Sequence, residues 1–329
     1  MRIVTTSSII STLIGWDATS YSGEYVSPTA CGLNYPTFVT LDPTTGDIYL
    51  TVVQTPRILL YSKFSNMMTT FAGSGIVSSS STTSAIGDEG AATSATFNTP
   101  DGSGFKNSFF LVADEFNYRI RKVVNLSPTG APTIKPTLSP SFSPTIQPTV
   151  NALTIIGSAL GNGVASSTGS GGTSTSATVN APRSVFADSN GNVYIAECSG
   201  NCVRRVINNL IYNYAGVCGS SSSFGGDGGQ ATSANFNSPV GINMDTSGVV
   251  YIADSLNNRA RSVSSSGIIS TVFGTGTYVT TGNGGPATSA SVKTPIDVWV
   301  TSTGKIYVSC YNENSVRSVV SGVVTLIAG

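Results

Sequence analysis

Short apolar runs separated by Gly, Asn, Asp and Ser set the pattern of this chain. From Asn235 to Gly274 the order is "NFNSPVGINMD", "TSG", "VVYIAD", "SLNN", "RARSV", "SSSG", "IISTVFG". That order predicts four short strands, a to d, joined by tight turns. The runs do not alternate cleanly. "VVYIA" and "NVYIA" are apolar on both faces, so each must be covered on both sides.

The pattern repeats. "IISTLIG" ends at Gly15, "MMTTFAG" at Gly73, "ALTIIG" at Gly157, "IYNYAG" at Gly216, "STVFG" at Gly274 and "VVTLIAG" at Gly329. The intervals are 58, 84, 59, 58 and 55 residues, and the long one holds a Pro/Ser/Thr tract, Leu126 to Asn151. Five near-equal units remain once it is set aside. Four-stranded antiparallel sheets stacked face to face around an axis cover both faces of every strand, which predicts an all-β chain folded as a β-propeller. The expected blades are 16–73, 74–157 with the insert 126–151, 158–216, 217–274 and 275–329. Residues 1–15 match strands c and d alone and predict a half blade. A start half-way through a unit is what a piece of a longer chain would show.

"SPVGINMDTSGVVYIADSLNNRARSV" resembles the NHL repeat, with its Pro-x-Gly, Tyr-x-Ala-Asp and Asn-x-Arg elements. The resemblance covers nearly the whole chain outside the Pro tract, closely in units two to five and weakly in unit one. It implies six-bladed geometry and a role as an interaction platform.

Composition narrows the chemistry. Charged residues are 10% of the chain, against about 25% in an average domain. Net charge is +0, which argues against nucleic acid as a partner. No apolar run reaches the length that inserts into a membrane. There is no histidine, so Ser-His and Cys-His nucleophile pairs are excluded, and so is the commonest zinc ligand. The zinc-dependent amidating lyase resembles this fold, but its metal site needs histidine. No cofactor, metal or catalytic set is expected.

The Gly-rich loop "GDGGQATSANFNSP" recurs from Gly87, Gly169 and Gly282. A nucleotide loop would occur once and carry a lysine. Here the acid Asp227 becomes Glu89, Gly171 and Asn283 on the nearest register, so the loop reads as a joint between blades, with "ATSA" as one helical turn. The strand-end acids Asp114, Glu197 and Asp254 fall at one repeat position, as structure demands, each with an Arg in reach such as Arg119 or Arg259. The b–c turns vary from blade to blade. Phe116, Tyr118, Asn257, Asn258, Tyr311 and Asn312 are the expected binding residues there. Cys198 and Cys202 flank one b–c turn, close enough to bridge. Zinc is the rival, without His or a second Cys pair. Cys218 lies just upstream of the Gly-rich loop, where a second bridge is sought, and Cys31, Cys218 and Cys310 have no assigned partners. A disulfide points to an oxidising compartment. The Pro tract reads as extended chain, similar to O-glycosylated tracts of secreted surface proteins.

Two functions follow. The first is a non-enzymatic platform, extracellular or at a cell surface, that binds protein or carbohydrate. The alternative is a propeller hydrolase or lactonase with acids unique to single blades at the central channel. Asp297 in "TPIDVWV" is the candidate acid for that reading.

Overall fold

The computed structural model describes residues 2–4, 10–15, 24–42, 44–77, 87–106, 109–126 and 153–329. The Pro-rich insertion lies outside them apart from its first residue. Five four-stranded antiparallel sheets carry the described chain. The first is β3 (Pro36–Leu41), β4 (Ile48–Val52), β5 (Arg57–Ser62) and β6 (Met67–Ala72). The second is β7 (Pro100–Lys106), β8 (Phe109–Asp114), β9 (Arg119–Leu126) and β10 (Leu153–Leu160). The third is β11 (Pro182–Ala187), β12 (Val193–Glu197), β13 (Cys202–Ile207) and β14 (Leu210–Ala215). The fourth is β15 (Pro239–Met244), β16 (Val250–Asp254), β17 (Arg259–Val263) and β18 (Ile269–Phe273). The fifth is β19 (Pro295–Val300), β20 (Ile306–Cys310), β21 (Ser315–Val320) and β22 (Val323–Ala328). Each sheet keeps its strands in chain order. Separately, β1 (Arg2–Val4) and β2 (Ile10–Thr12) form an antiparallel pair with Val4 opposite Ile10.

The apolar cores lie between blades rather than within them. Ala260 and Phe273 of the fourth blade pack with Val292, Val298 and Val308 of the fifth. Tyr49, Ile58 and Ala72 of the first pack with Phe97, Phe110 and Val112 of the second. Ile14, which follows β2, is buried with Leu50, Leu59 and Met68 of the first blade. This is why "VYIAE" is buried at every position: both faces of a blade meet a neighbour.

One joint recurs. The glycine that ends a d strand donates its N–H to the turn opening the next blade: Gly15 to Pro28 at 2.9 Å, Gly73 to Ala92 at 2.8 Å, Gly161 to Ser174 at 3.0 Å, Gly216 to Ala231 at 2.8 Å and Gly274 to Ala287 at 3.1 Å. All five glycines have positive φ, where a side chain is strained. The second blade runs four residues past its expected end: β10 reaches Leu160, and Gly161 rather than Gly157 makes the joint. "ATS" forms a single 3-10 turn at Ala92–Ser94, Ala231–Ser233 and Ala287–Ser289, as expected.

The Gly-rich loop wraps back onto its own blade. Asp227 accepts the N–H of Thr271 at 3.0 Å and its hydroxyl at 2.6 Å, and pairs with Arg261 at 2.6 Å. Asn283 accepts the N–H of Leu326 at 2.6 Å, and Ser170 that of Asn213 at 3.3 Å. Asp88 pairs with Arg121 at 2.8 Å. The equivalents of Asp227 are therefore Asp88 and Ser170, one residue before Glu89 and Gly171. Any short acceptor fills the role, which is why the acid is dispensable.

The strand-end acids are structural, but their partner is not the expected Arg. Asp114, Glu197 and Asp254 face Arg121, Arg204 and Arg261 at 3.0, 3.4 and 3.5 Å, with all six side chains fully buried. Arg119 instead donates to the carbonyls of Gly161 and Asn162 at the next joint, and Arg259 to that of Thr275. In the fifth blade Cys310 occupies the acid position, and Glu313 pairs with Arg317 at 3.1 Å in its place.

Candidate functional site

A cavity of about 880 Å³ opens where the a strands and the b–c turns converge. It is built from repeat positions that vary between blades. Before each strand-opening proline stand Tyr35, Thr99, Ala181, Ser238 and Thr294, all at positive φ. Such backbone is costly in non-glycine residues and persists only when surroundings enforce it. Asn201 and Asn258 supply part of that enforcement. Their side-chain oxygens accept the N–H of Ser238 and Thr294 at 3.0 Å each.

After each proline the register shifts, and a bulge of this kind re-aims a side chain. Thr37, Asp101, Arg183, Val240 and Ile296 occupy that position and all line the cavity. At the next position Gly102 and Gly241 leave room for a neighbour. A Cβ on Gly102 would stand 2.6 Å from the carbonyl oxygen of Arg183, and one on Gly241 2.5 Å from Cα of Asp297. The first residue of each b–c turn completes the wall: Val53, Glu115, Cys198, Ser255 and Tyr311.

The centre is acidic. Asp101, Glu115 and Asp297, each peculiar to one blade, line it with one guanidinium, Arg183, which acts on Asp101 and Glu115. The Nε of Arg183 donates to Glu115 Oε1 at 2.9 Å. Burial pushes the carboxyl of Asp101 up to about 7; the charges of Glu115 and Asp297 add to this, while Arg183 and Thr37 oppose it. Burial alone pushes Asp297 up to about 7, opposed only by the Val298 N–H at 2.9 Å. Burial also raises Glu115 against the pull of Arg183, and raises the thiol of Cys198. Among the described residues no three His, Cys, Asp or Glu side chains converge as a metal cage.

The rim is apolar. Tyr35, Leu256 and Tyr311 line the mouth and are exposed. Of the expected binding residues, Tyr311 and Asn312 line this cavity, and so does Asp297, the candidate acid of the hydrolase reading. Phe116 is exposed on the b–c turn beside Glu115. Tyr118 and Asn258 hold equivalent left-handed positions at the ends of their turns. Asn257 donates to Asp254 at 2.9 Å and to the carbonyl of Ser223 at 2.8 Å. Sequence reasoning missed Asp101, Glu115 and Arg183. Setting the repeats side by side and asking which charged residue has no counterpart would have found them.

The expected Cys198–Cys202 bridge does not form. Cys202 is joined to Cys218, 16 residues on, with Cα atoms 5.0 Å apart, and Cys198 is free. The turn points the two side chains apart. Cys198 is in the column of Ser255 and Tyr311 and faces the cavity. Cys202 opens β13, is fully buried, and meets the chain just past the Gly216 joint.

A profile of the Teneurin NHL domain matches residues 214–281, which span the end of the third blade and the whole fourth. Among solved structures, virginiamycin B lyase from Staphylococcus aureus, determined with quinupristin, is 12% identical. It aligns over 99% of this chain and 75% of its own with a TM-score of 0.49. A streptogramin B lyase is 14% identical over 88% of this chain and 82% of its own, at 0.47. Likenesses this distant carry no argument about activity. Comparison with curated proteins finds no match.

Proposed function

The chain is an NHL-repeat β-propeller, and on that premise we propose that it is a non-enzymatic interaction platform, extracellular or at a cell surface. It engages a protein ligand through the face that carries the b–c turns and the central mouth. One observation carries this reading: the closing glycine and the buried Arg recur from unit to unit, whereas the positions that line the mouth vary widely between blades. An apolar rim of Tyr35, Leu256 and Tyr311 around a polar centre has the composition of a binding hot spot, and it favours protein over carbohydrate. The Cys202–Cys218 disulfide fits an oxidising compartment.

The test is affinity for a partner captured from the secreted and surface proteins of the producing cell. Tyr311→Glu or Leu256→Glu should weaken binding at least tenfold, while Tyr212→Glu, exposed outside the cavity, should leave it unchanged. Equal affinity for all three variants would overturn the reading.

The hydrolase reading keeps one supporting observation, the convergence of Asp101, Glu115 and Asp297 on one cavity. Two carboxyls near neutrality are suited to proton transfer. It stands if the protein hydrolyses aryl esters or lactones in a way that Asp101→Asn and Asp297→Asn abolish.

A further inference from the structure

We propose that the central cavity receives a cationic side chain, a Lys ammonium or Arg guanidinium presented by the protein partner between apolar neighbours. This rests on the binding face argued above and specifies its chemistry. The cavity carries more carboxyls than cations. Three carboxyls line it against one guanidinium, and Nε of that guanidinium is already committed to Glu115 Oε1.

Buried polar atoms stand without partners at the cavity wall. Glu115 is 2% exposed and its Oε2 accepts no hydrogen bond; Ser184 is 1% exposed and its Oγ has no partner. Buried polar atoms are seldom left so, and each such group costs stability until something satisfies it. Asp297 receives one protein N–H, from its own neighbour Val298. Glu115 Oε2 lacks a donor, Ser184 Oγ lacks a partner of either kind, and the three carboxyls have one guanidinium among them. An ammonium brings three donors and a guanidinium five, and hydrogen bonds from such groups to carboxylates are the strong ones. A carboxylate or phosphate ligand would bring further acceptors to a wall that holds three carboxyls against one guanidinium. A neutral sugar would supply donors and leave the charge unbalanced. The apolar rim adds a condition: the cation should sit on a methylene stem with apolar flanks, as a lysine between two aromatic residues does.

The experiment uses the peptide acetyl-Gly-Phe-Lys-Phe-Gly-amide and its norleucine analogue as probes. Calorimetry reads affinity, and alkylation of Cys198, the free thiol that faces the cavity, reads occupancy. The lysine peptide should bind at least tenfold more tightly than the norleucine peptide and slow Cys198 alkylation. Asp297→Asn, close to isosteric, should remove most of that preference while the protein stays folded by circular dichroism. Equal binding of the two peptides, or no binding by either, overturns the proposal. Spermidine binding more tightly than the lysine peptide also overturns it, because the occupant is then a free polyamine. If both peptides fail while Tyr311→Glu still weakens the captured partner, the binding face stands and only its cationic specificity falls.

Discussion

Gly241 and Asp297 are tied by a steric condition. A Cβ on Gly241 would stand 2.5 Å from Cα of Asp297, 2.8 Å from the carbonyl oxygen of Ile296, and closer still to the Asp297 carboxylate. The bare glycine on β15 lets β19 approach and brings an acid of the fifth blade to the cavity. Gly241→Ala should therefore overpack this contact and cost about 1–3 kcal/mol. Urea denaturation measures it. A loss below about 0.5 kcal/mol, the range of an ordinary surface change, would show that the contact is slack.

The buried Arg–acid pairs hold the turns that carry the mouth. Glu197 is fully buried against Arg204 and also accepts the N–H of Asn180 at 3.1 Å. Arg204→Met leaves that carboxylate unpaired in the interior and should cost about 3–5 kcal/mol. Arg204→Met with Glu197→Gln should recover part of it. A single variant as stable as the parent would contradict the structural role.

Stability should fall as pH rises through the window from about 4 to 7. Asp101 and Asp297 have folded values pushed up to about 7, from unfolded values of about 4. Between those limits the native state holds more protons than the unfolded state, so raising the pH favours unfolding. Glu197 and Asp254, raised by burial to about 7 and about 6, act in the same direction; Asp227, held low by Thr271 and Arg261 against its burial, acts in the opposite one. Denaturation midpoints at pH 5 and pH 8 read the difference. Asp297→Asn should flatten it and stabilise the protein at pH 8, and a steeper dependence in that variant would contradict the assignment.

Non-reducing peptide mapping should recover Cys202 linked to Cys218, with Cys198 carrying the alkyl label. Reduction should cost about 3 kcal/mol on the chain-entropy model for a loop of this length. A Cys198–Cys202 peptide would contradict the fold at this turn.

Much of the architecture is legible in the sequence because a repeat states each structural demand several times. "VYIA" buried on both faces, the "ATS" turn and the closing glycine are all read by comparing units. The site is less legible for the same reason. Asp101 sits in "TPDGSGF", which replaces the apolar "SPVGINM" of the fourth unit, and Glu115 is hidden beside the repeated Asp114. The cysteine pairing failed because spacing along a turn does not say which way each side chain faces. Across the strand ladder Glu197 stands opposite Cys202, while Cys198 turns to the cavity.

Hydrogen exchange of the protein with and without its captured partner tests the binding face most directly. The expected result is slowed exchange at the turns around Val53, Glu115, Cys198, Leu256 and Tyr311, with no change at the a–b turn around Asp245 and Gly248. Protection confined to the a–b turns, with the mouth unaffected, would contradict the central claim.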